Sequence, residues 1–145
     1  KEYCDQNKIP YEEVTVTNSS EVKQAAETLA GKVDGIFIPN DSVIQSAMTT
    51  VTEVARDKKI PVYGSSKAMV LSGAFATVAI SDTKIGKLTA QMGLKYLKDG
   101  TAVKDIPSVV VPAEETVINQ NTLDALGVTV PDDIKNSAII VNDAE

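Results

Sequence analysis

The 145-residue sequence has no histidine, no tryptophan, one cysteine and one arginine. Each shortage removes chemistry. Without histidine there is no Ser-His-Asp or Cys-His catalysis, and the usual zinc ligand sets cannot be assembled, so a metal site would have to be built from oxygen. Cys4 has no partner for an internal disulfide and reads as a free thiol. With Arg56 the only arginine and a net charge of −6, no cationic stripe is available to offset phosphate charge, which argues against nucleic acid as a partner. The longest apolar runs, at 33–39 and 137–141, fall far short of the roughly 20 residues that span a bilayer. The opening Lys1-Glu2-Tyr3-Cys4-Asp5 carries neither the apolar core of a signal peptide nor the apolar stretch that precedes a lipidated cysteine.

What is present is ordinary. Hydrophobic residues make up 43% and charged residues 23%, a composition that specifies one soluble globular domain with a sizeable core. Tyr3 and Cys4 ahead of the Ile9-Pro10 stop read as the last turns of a helix. The alternation of Val14 and Val16 with Thr15 and Thr17 predicts a strand over 11–17. A helix follows, capped by Ser19 or Ser20, with Val22, Ala25, Ala26 and Leu29 at helical spacing up to Gly31.

The run 33–39 is the strongest strand signal, and its near-continuous apolar character predicts a central strand buried on both faces of a parallel sheet. A helix capped by Asp41 or Ser42 then runs to Lys58-Lys59, and the lysine pair complements its dipole. Further strands are predicted at 60–64, 74–80, 106–112 and 138–141, with helices at 65–71, 81–97 and 122–126. Strands alternating with helices make the fold class α/β, a parallel sheet flanked by helices.

In an open parallel sheet, ligands sit beyond the carboxyl ends of the strands. The turns that reach that rim are Asn18-Ser19-Ser20, Asn40-Asp41-Ser42, Gly64-Ser65-Ser66 and Ser81-Asp82. The candidate ligand contacts are therefore Asn18, Ser19, Asn40, Asp41, Ser42, Ser65, Ser66 and Asp82. The plainer reading is that Ser, Asp and Asn are simply the best helix caps, which every such turn needs whether or not a ligand binds. No phosphate-binding loop and no Gly-x-Gly-x-x-Gly occurs. The adjacent carboxylates Glu12-Glu13, Glu114-Glu115 and Asp132-Asp133 would diverge along a strand, as solvated faces do.

Several separated motifs then fall into a recognisable order. They are Val33-Asp34-Gly35-Ile36-Phe37-Ile38-Pro39-Asn40-Asp41-Ser42, Ser46-Ala47-Met48, Ile60-Pro61-Val62-Tyr63-Gly64, Ser72-Gly73-Ala74-Phe75-Ala76-Thr77, Ile85-Gly86 and Leu126-Gly127-Val128-Thr129-Val130-Pro131. Over nearly its whole length the chain resembles the substrate-binding proteins of a bacterial ABC importer family that includes tryptophan and other aromatic amino-acid binders.

The resemblance implies a type I periplasmic-binding-protein-like architecture in which a ligand is trapped between two lobes. Residues 1–145 would be the C-terminal lobe. The signal peptide, lipid anchor, first lobe and first strand of the second lobe would lie upstream of Lys1, and 83–105 would cross to the first lobe. It also implies a small amino-acid ligand, a membrane permease as partner, no cofactor, no catalysis, an extracytoplasmic or cell-surface location, and self-association of the fragment. Where the family has a Pro-Thr-Asp-Asn turn, this chain has Pro39-Asn40-Asp41-Ser42, so Asp41 matches while Asn40 and Ser42 depart. A carboxylate there would pair with an α-ammonium group. The competing reading is a doubly wound regulator, a sugar-binding transcriptional module or an enzyme domain. A regulator needs an acidic pocket with a lysine or a DNA-binding element, and an enzyme needs a nucleophile with its base.

Overall fold

The computed structural model describes residues 1–144. In chain order the elements are α1 (Glu2–Asn7), α2 (Val22–Ala30), β1 (Ile36–Phe37), α3 (Ser42–Ser46), α4 (Met48–Asp57), β2 (Val62–Tyr63), α5 (Lys67–Leu71) and β3 (Ala76–Ala79). They continue with α6 (Asp82–Leu97), β4 (Glu115–Asn119), α7 (Gln120–Leu126), α8 (Asp132–Ser137) and β5 (Ile139–Val141). The five strands form one sheet in the order β1-β2-β3-β4-β5.

The α/β class stands, but the sheet is mixed. β1, β2 and β3 are parallel, and so are β4 and β5, whereas β3 and β4 pair antiparallel with Ala76 opposite Ile118 and Ala79 opposite Glu115. The cause is the connection. After β3 the chain leaves through α6 and returns through 98–114 to the same end of the sheet, where Glu115 starts beside Ala79, so β4 runs in the opposite sense.

Side chains alternate across the pleat and so build two cores. Ile36, Ile38, Val62 and Val117 face α2, α4 and α5, where they pack with Val22, Ala26, Met48, Val51 and Met69. On the other face Ile118 and Phe75 meet Leu123 and Leu126 of α7. That second face is only partly covered. Phe37 is 70% exposed and Val78 59% exposed, while Tyr63 stands edge-on to Phe75 at 5.6 Å.

Several expectations are corrected here. The 33–39 run gives only the short β1 at the edge of the sheet, buried through Ile36 and Ile38 but not through Phe37, because no helix covers Phe37's face. The strand expected over 11–17 does not form: despite their alternation, residues 11–16 pair with no strand, because a groove bordered by Val14 and Val16 on one side and Ile36 and Ile38 on the other separates them from β1. The β-branched 106–112 segment is irregular and largely exposed; the strand is 115–119, where Val117 and Ile118 are buried on opposite faces. The long helix expected after Asp41 is interrupted at Ala47, whose φ of −110° and ψ of 17° separate α3 from α4.

Candidate functional site

Because β1, β2 and β3 run parallel, the turns 40–42, 64–66 and 81–82 emerge from the same edge of the sheet. The 3₁₀ turn Ser19–Glu21 packs against α3 and brings Asn18 and Ser19 to that rim. All eight predicted residues are therefore gathered on one edge.

Each turn also caps the helix it opens. Asp41 Oδ1 accepts from the Val43 and Ile44 amides at 2.8 and 3.0 Å. Ser66 Oγ accepts from the Met69 amide at 3.4 Å, and Ser81 Oγ from the Lys84 amide at 3.4 Å. Asn18 Oδ1 accepts from the Ser20 amide at 3.1 Å, while the Glu21 carboxylate accepts from the Thr17 amide at 2.8 Å and from Asn18 Nδ2 at 2.9 Å. The cap is therefore Asn18, in place of the expected Ser19 or Ser20, and Glu21 reaches back past it to the Thr17 amide, a variant of the capping box. The Thr17 amide above all holds the Glu21 carboxyl below its usual range.

Capping accounts for Asn18, Asp41, Ser66 and Ser81, and leaves chemistry over. Asp41 uses one carboxylate oxygen for both amides, and among the described residues no donor reaches the other. Asn40, Ser19 and Ser42 make no side-chain hydrogen bond among the described residues and are exposed. Ser65 lies half-buried with its hydroxyl 3.7 Å from Met69 Sδ, and Asp82 is the exposed first residue of α6. The rim thus presents the half-free Asp41 carboxylate and the exposed Asp82 carboxylate among hydroxyls and a side-chain amide, an arrangement suited to a small ligand carrying a cation and several hydrogen-bonding groups.

Gly64 fixes how closely this rim approaches the core. A Cβ on it would stand 2.7 Å from Met69 Cβ and 3.2 Å from its sulfur, and neither Met69 nor the strand can retreat because Met69 is fully buried. Gly64→Ala is expected to lower stability by about 1–3 kcal/mol through this overpacking. Thermal unfolding measures it, and an unchanged midpoint would show that the turn can shift.

At the opposite edge of the sheet lies a polar cluster that composition alone does not reveal. Arg56 at the end of α4 donates to Asp143 through Nη1 at 2.9 Å and Nη2 at 2.7 Å, and to Thr122 Oγ1 through Nε at 3.0 Å. Asn119, fully buried, donates to the Val70 carbonyl at 2.7 Å and to Asp143 Oδ1 at 2.8 Å, and accepts from the Thr122 amide at 3.0 Å. The hydrogen bond from Arg56 is the main cause that depresses the Asp143 carboxyl. Lys59 donates to the Ala125 carbonyl of α7, so its amine serves a neighbouring helix end and not only its own. These contacts tie α4, β4, α7 and the tail after β5 together; they hold the lobe and lie away from the rim.

Comparison with known proteins places this geometry. The family model for ABC transporter substrate binding proteins matches residues 1–142. The chain belongs to that family. It is similar to a tyrosine-binding protein of Clostridioides difficile (strain R20291), with 37% identity over 125 residues that span 86% of this chain and 36% of the relative. Among solved structures it resembles the ligand-free, open form of a substrate binding protein with adhesive properties from Clostridium difficile, at a TM-score of 0.82 and 31% identity, covering 99% of this chain and 48% of that one. It equally resembles an ABC domain from Streptococcus pneumonia in complex with L-Trp, at a TM-score of 0.82 and 30% identity, covering 97% and 48%. The chain therefore spans about half the length of these solved structures and about a third of the tyrosine-binding relative.

Proposed function

We propose that this chain is one lobe of a two-lobed, non-catalytic solute receptor that holds an amino-acid-like ligand against the 18–20, 40–42, 64–66 and 81–82 rim and delivers it to a membrane permease outside the cytoplasm. The observation that carries this is the single uncommitted Asp41 oxygen among exposed hydroxyls at the carboxyl edge of β1–β3. In this reading the oxygen takes the ligand's ammonium group, and Ser42, Ser65, Ser66 and Ser19 face its carboxylate. The names of two relatives, a tyrosine binder and a complex with L-Trp, favour an aromatic amino acid. Only six aromatic residues occur in this chain, four Tyr and two Phe, so ring recognition falls largely to the other lobe. Segment 83–105 supports the two-lobed reading, since α6 spans 16 residues and buries none of them.

The test uses the full-length polypeptide that carries this chain, titrated calorimetrically with L-tyrosine and L-tryptophan. Asp41→Asn keeps a side-chain acceptor for the α3 cap and removes the charge. It is expected to weaken binding more than tenfold, because a hydrogen bond to a charged group is worth roughly 1.5–3 kcal/mol. Unchanged affinity would leave Asp41 a cap and nothing more, and turnover of either amino acid would overturn the receptor reading.

A further inference from the structure

A ligand that carries a carboxylate calls for a positive group on the rim, and one lysine stands there unclaimed. β2 lies between β1 and β3, so the 64–66 turn that follows it emerges between the 40–42 turn and the turn at 81–82. Lys67 comes directly after Ser66 as the exposed first residue of α5. Of the residues directly flanking the four rim turns, it alone is a cation. Folding gives no reason for that choice. Helix starts favour acidic side chains because their free amides carry partial positive charge, yet α5 has no acidic residue in its first turn and a lysine instead. Met69 and Val70 supply the buried side of α5, and Lys67 adds nothing to it. Among the described residues Lys67 forms no ion pair, whereas Lys84, in the first turn of α6, is held by Glu114 at 2.8 Å.

We infer that Lys67 takes the ligand's α-carboxylate, as the cationic half of a clamp whose anionic half is Asp41. Paired strands lie about 4.8 Å apart, so the turns that follow β1 and β2 are neighbours along the rim. The ammonium nitrogen and a carboxylate oxygen of one α-amino acid are about 3 Å apart. With a charge-assisted hydrogen bond of about 2.8 Å at each end, the clamp spans roughly 8–9 Å from the Asp41 oxygen to Lys67 Nζ. Asp41 and Lys67 are not paired with each other, so both charges remain available to one ligand. Serine hydroxyls beside the carboxylate bond an acid and its amide alike, because a hydroxyl both donates and accepts. Lys67 has only protons to give and a charge to match, so it selects the ionised acid. The inference rests on the receptor reading and narrows its substrate class to a free α-amino acid bearing both charges, in preference to the amine of the same side chain.

The full-length polypeptide tests it, titrated calorimetrically with L-tyrosine and L-tryptophan and with tyramine and tryptamine, which lack the carboxylate. Lys67→Gln is expected to weaken binding of the amino acid at least about tenfold, while the amines bind the parent and Lys67→Gln alike. Lys67 is exposed, so the variant is expected to keep the parent's unfolding midpoint. Lys23→Gln, which removes the lysine in the first turn of α2, is expected to leave every affinity unchanged. Unchanged amino-acid affinity in Lys67→Gln would overturn the inference. So would an equal loss for acid and amine, because Lys67 would then shape the rim without touching the carboxylate. The two readings fail differently: a parent that binds neither amino acid removes both, whereas tight binding indifferent to Lys67→Gln leaves the receptor and removes the clamp.

Discussion

Replacing Asn119 by aspartate is expected to destabilise the folded protein by roughly 3–5 kcal/mol, the range found when a buried pair is broken and a charge is left uncompensated. Asn119 is 0% exposed, and its amide nitrogen gives one proton to the Val70 carbonyl and one to Asp143. A carboxylate in the same place has no proton to give. It would face a carbonyl at 2.7 Å and a second carboxylate at 2.8 Å, with only Arg56 nearby to offset two negative charges. Asn119→Ala removes these two hydrogen bonds and the one accepted from the Thr122 amide without adding charge, and should cost about 2–3 kcal/mol.

The two variants separate by pH. The introduced acid, buried beside Asp143, has its folded-state pKa raised above the unfolded value of about 3.9, so the folded state binds the proton more tightly. Its penalty is full at neutral pH and shrinks as pH falls toward 5, whereas the alanine variant keeps a constant deficit over that range. Denaturant unfolding at pH 7.5 and 5 measures both. Equal stability of the aspartate variant and the parent at pH 7.5 would show that the cluster does not hold the lobe.

That cluster also marks what the sequence conceals. Residues 56, 70, 73, 119, 122 and 143 meet only after five strands are in register, and nothing in local pattern links them. Helices were legible because their signals are local. Asp41, Ser66 and Ser81 each sit one residue before the first helical turn and cap it, Asp41 as one of the two expected caps, and Gly127 ends α7 in the left-handed region with φ of 69°.

Strands were less legible because β-propensity describes a side chain's fit to a pleated surface and carries no information on whether a partner strand exists. Val109, Val110 and Val111 have the propensity and no partner, so Val110 is 91% exposed, while Glu115–Asn119 opens with two acidic and polar residues yet pairs on both edges. The same gap explains 11–16, whose alternation finds no partner strand. The rim could be anticipated because a parallel sheet obliges every strand-to-helix turn to share one edge. Which of its residues touch ligand is a separate matter, since the same Ser, Asn and Asp serve as caps.

The 145-residue chain alone is expected to show no measurable affinity for L-tyrosine or L-tryptophan, in contrast to the binding proposed for the full-length polypeptide. A receptor of micromolar affinity gains about 8 kcal/mol on binding, net of at least about 4 kcal/mol lost with the ligand's translational and rotational freedom. Its contacts must then supply about 12 kcal/mol. If one rim supplies half of that and the loss is unchanged, about 2 kcal/mol remains, which corresponds to a dissociation constant well above 10 mM. The partly covered sheet face adds a second consequence. Phe37 and Val78 are more than half exposed and share that face with Tyr63 above an apolar depression of about 750 Å³, and α6 exposes Leu94, Tyr96 and Leu97 beyond it. Apolar surface of that extent drives association, so the isolated chain should elute as dimers or larger species whose proportion rises with concentration. Calorimetry with each amino acid at about 1 mM and light scattering across a concentration series measure the two effects, the first chosen well below the expected dissociation constant. A monodisperse monomer that binds either amino acid at micromolar concentration would show that this lobe is a complete receptor and that its rim, not a cleft between two lobes, holds the ligand.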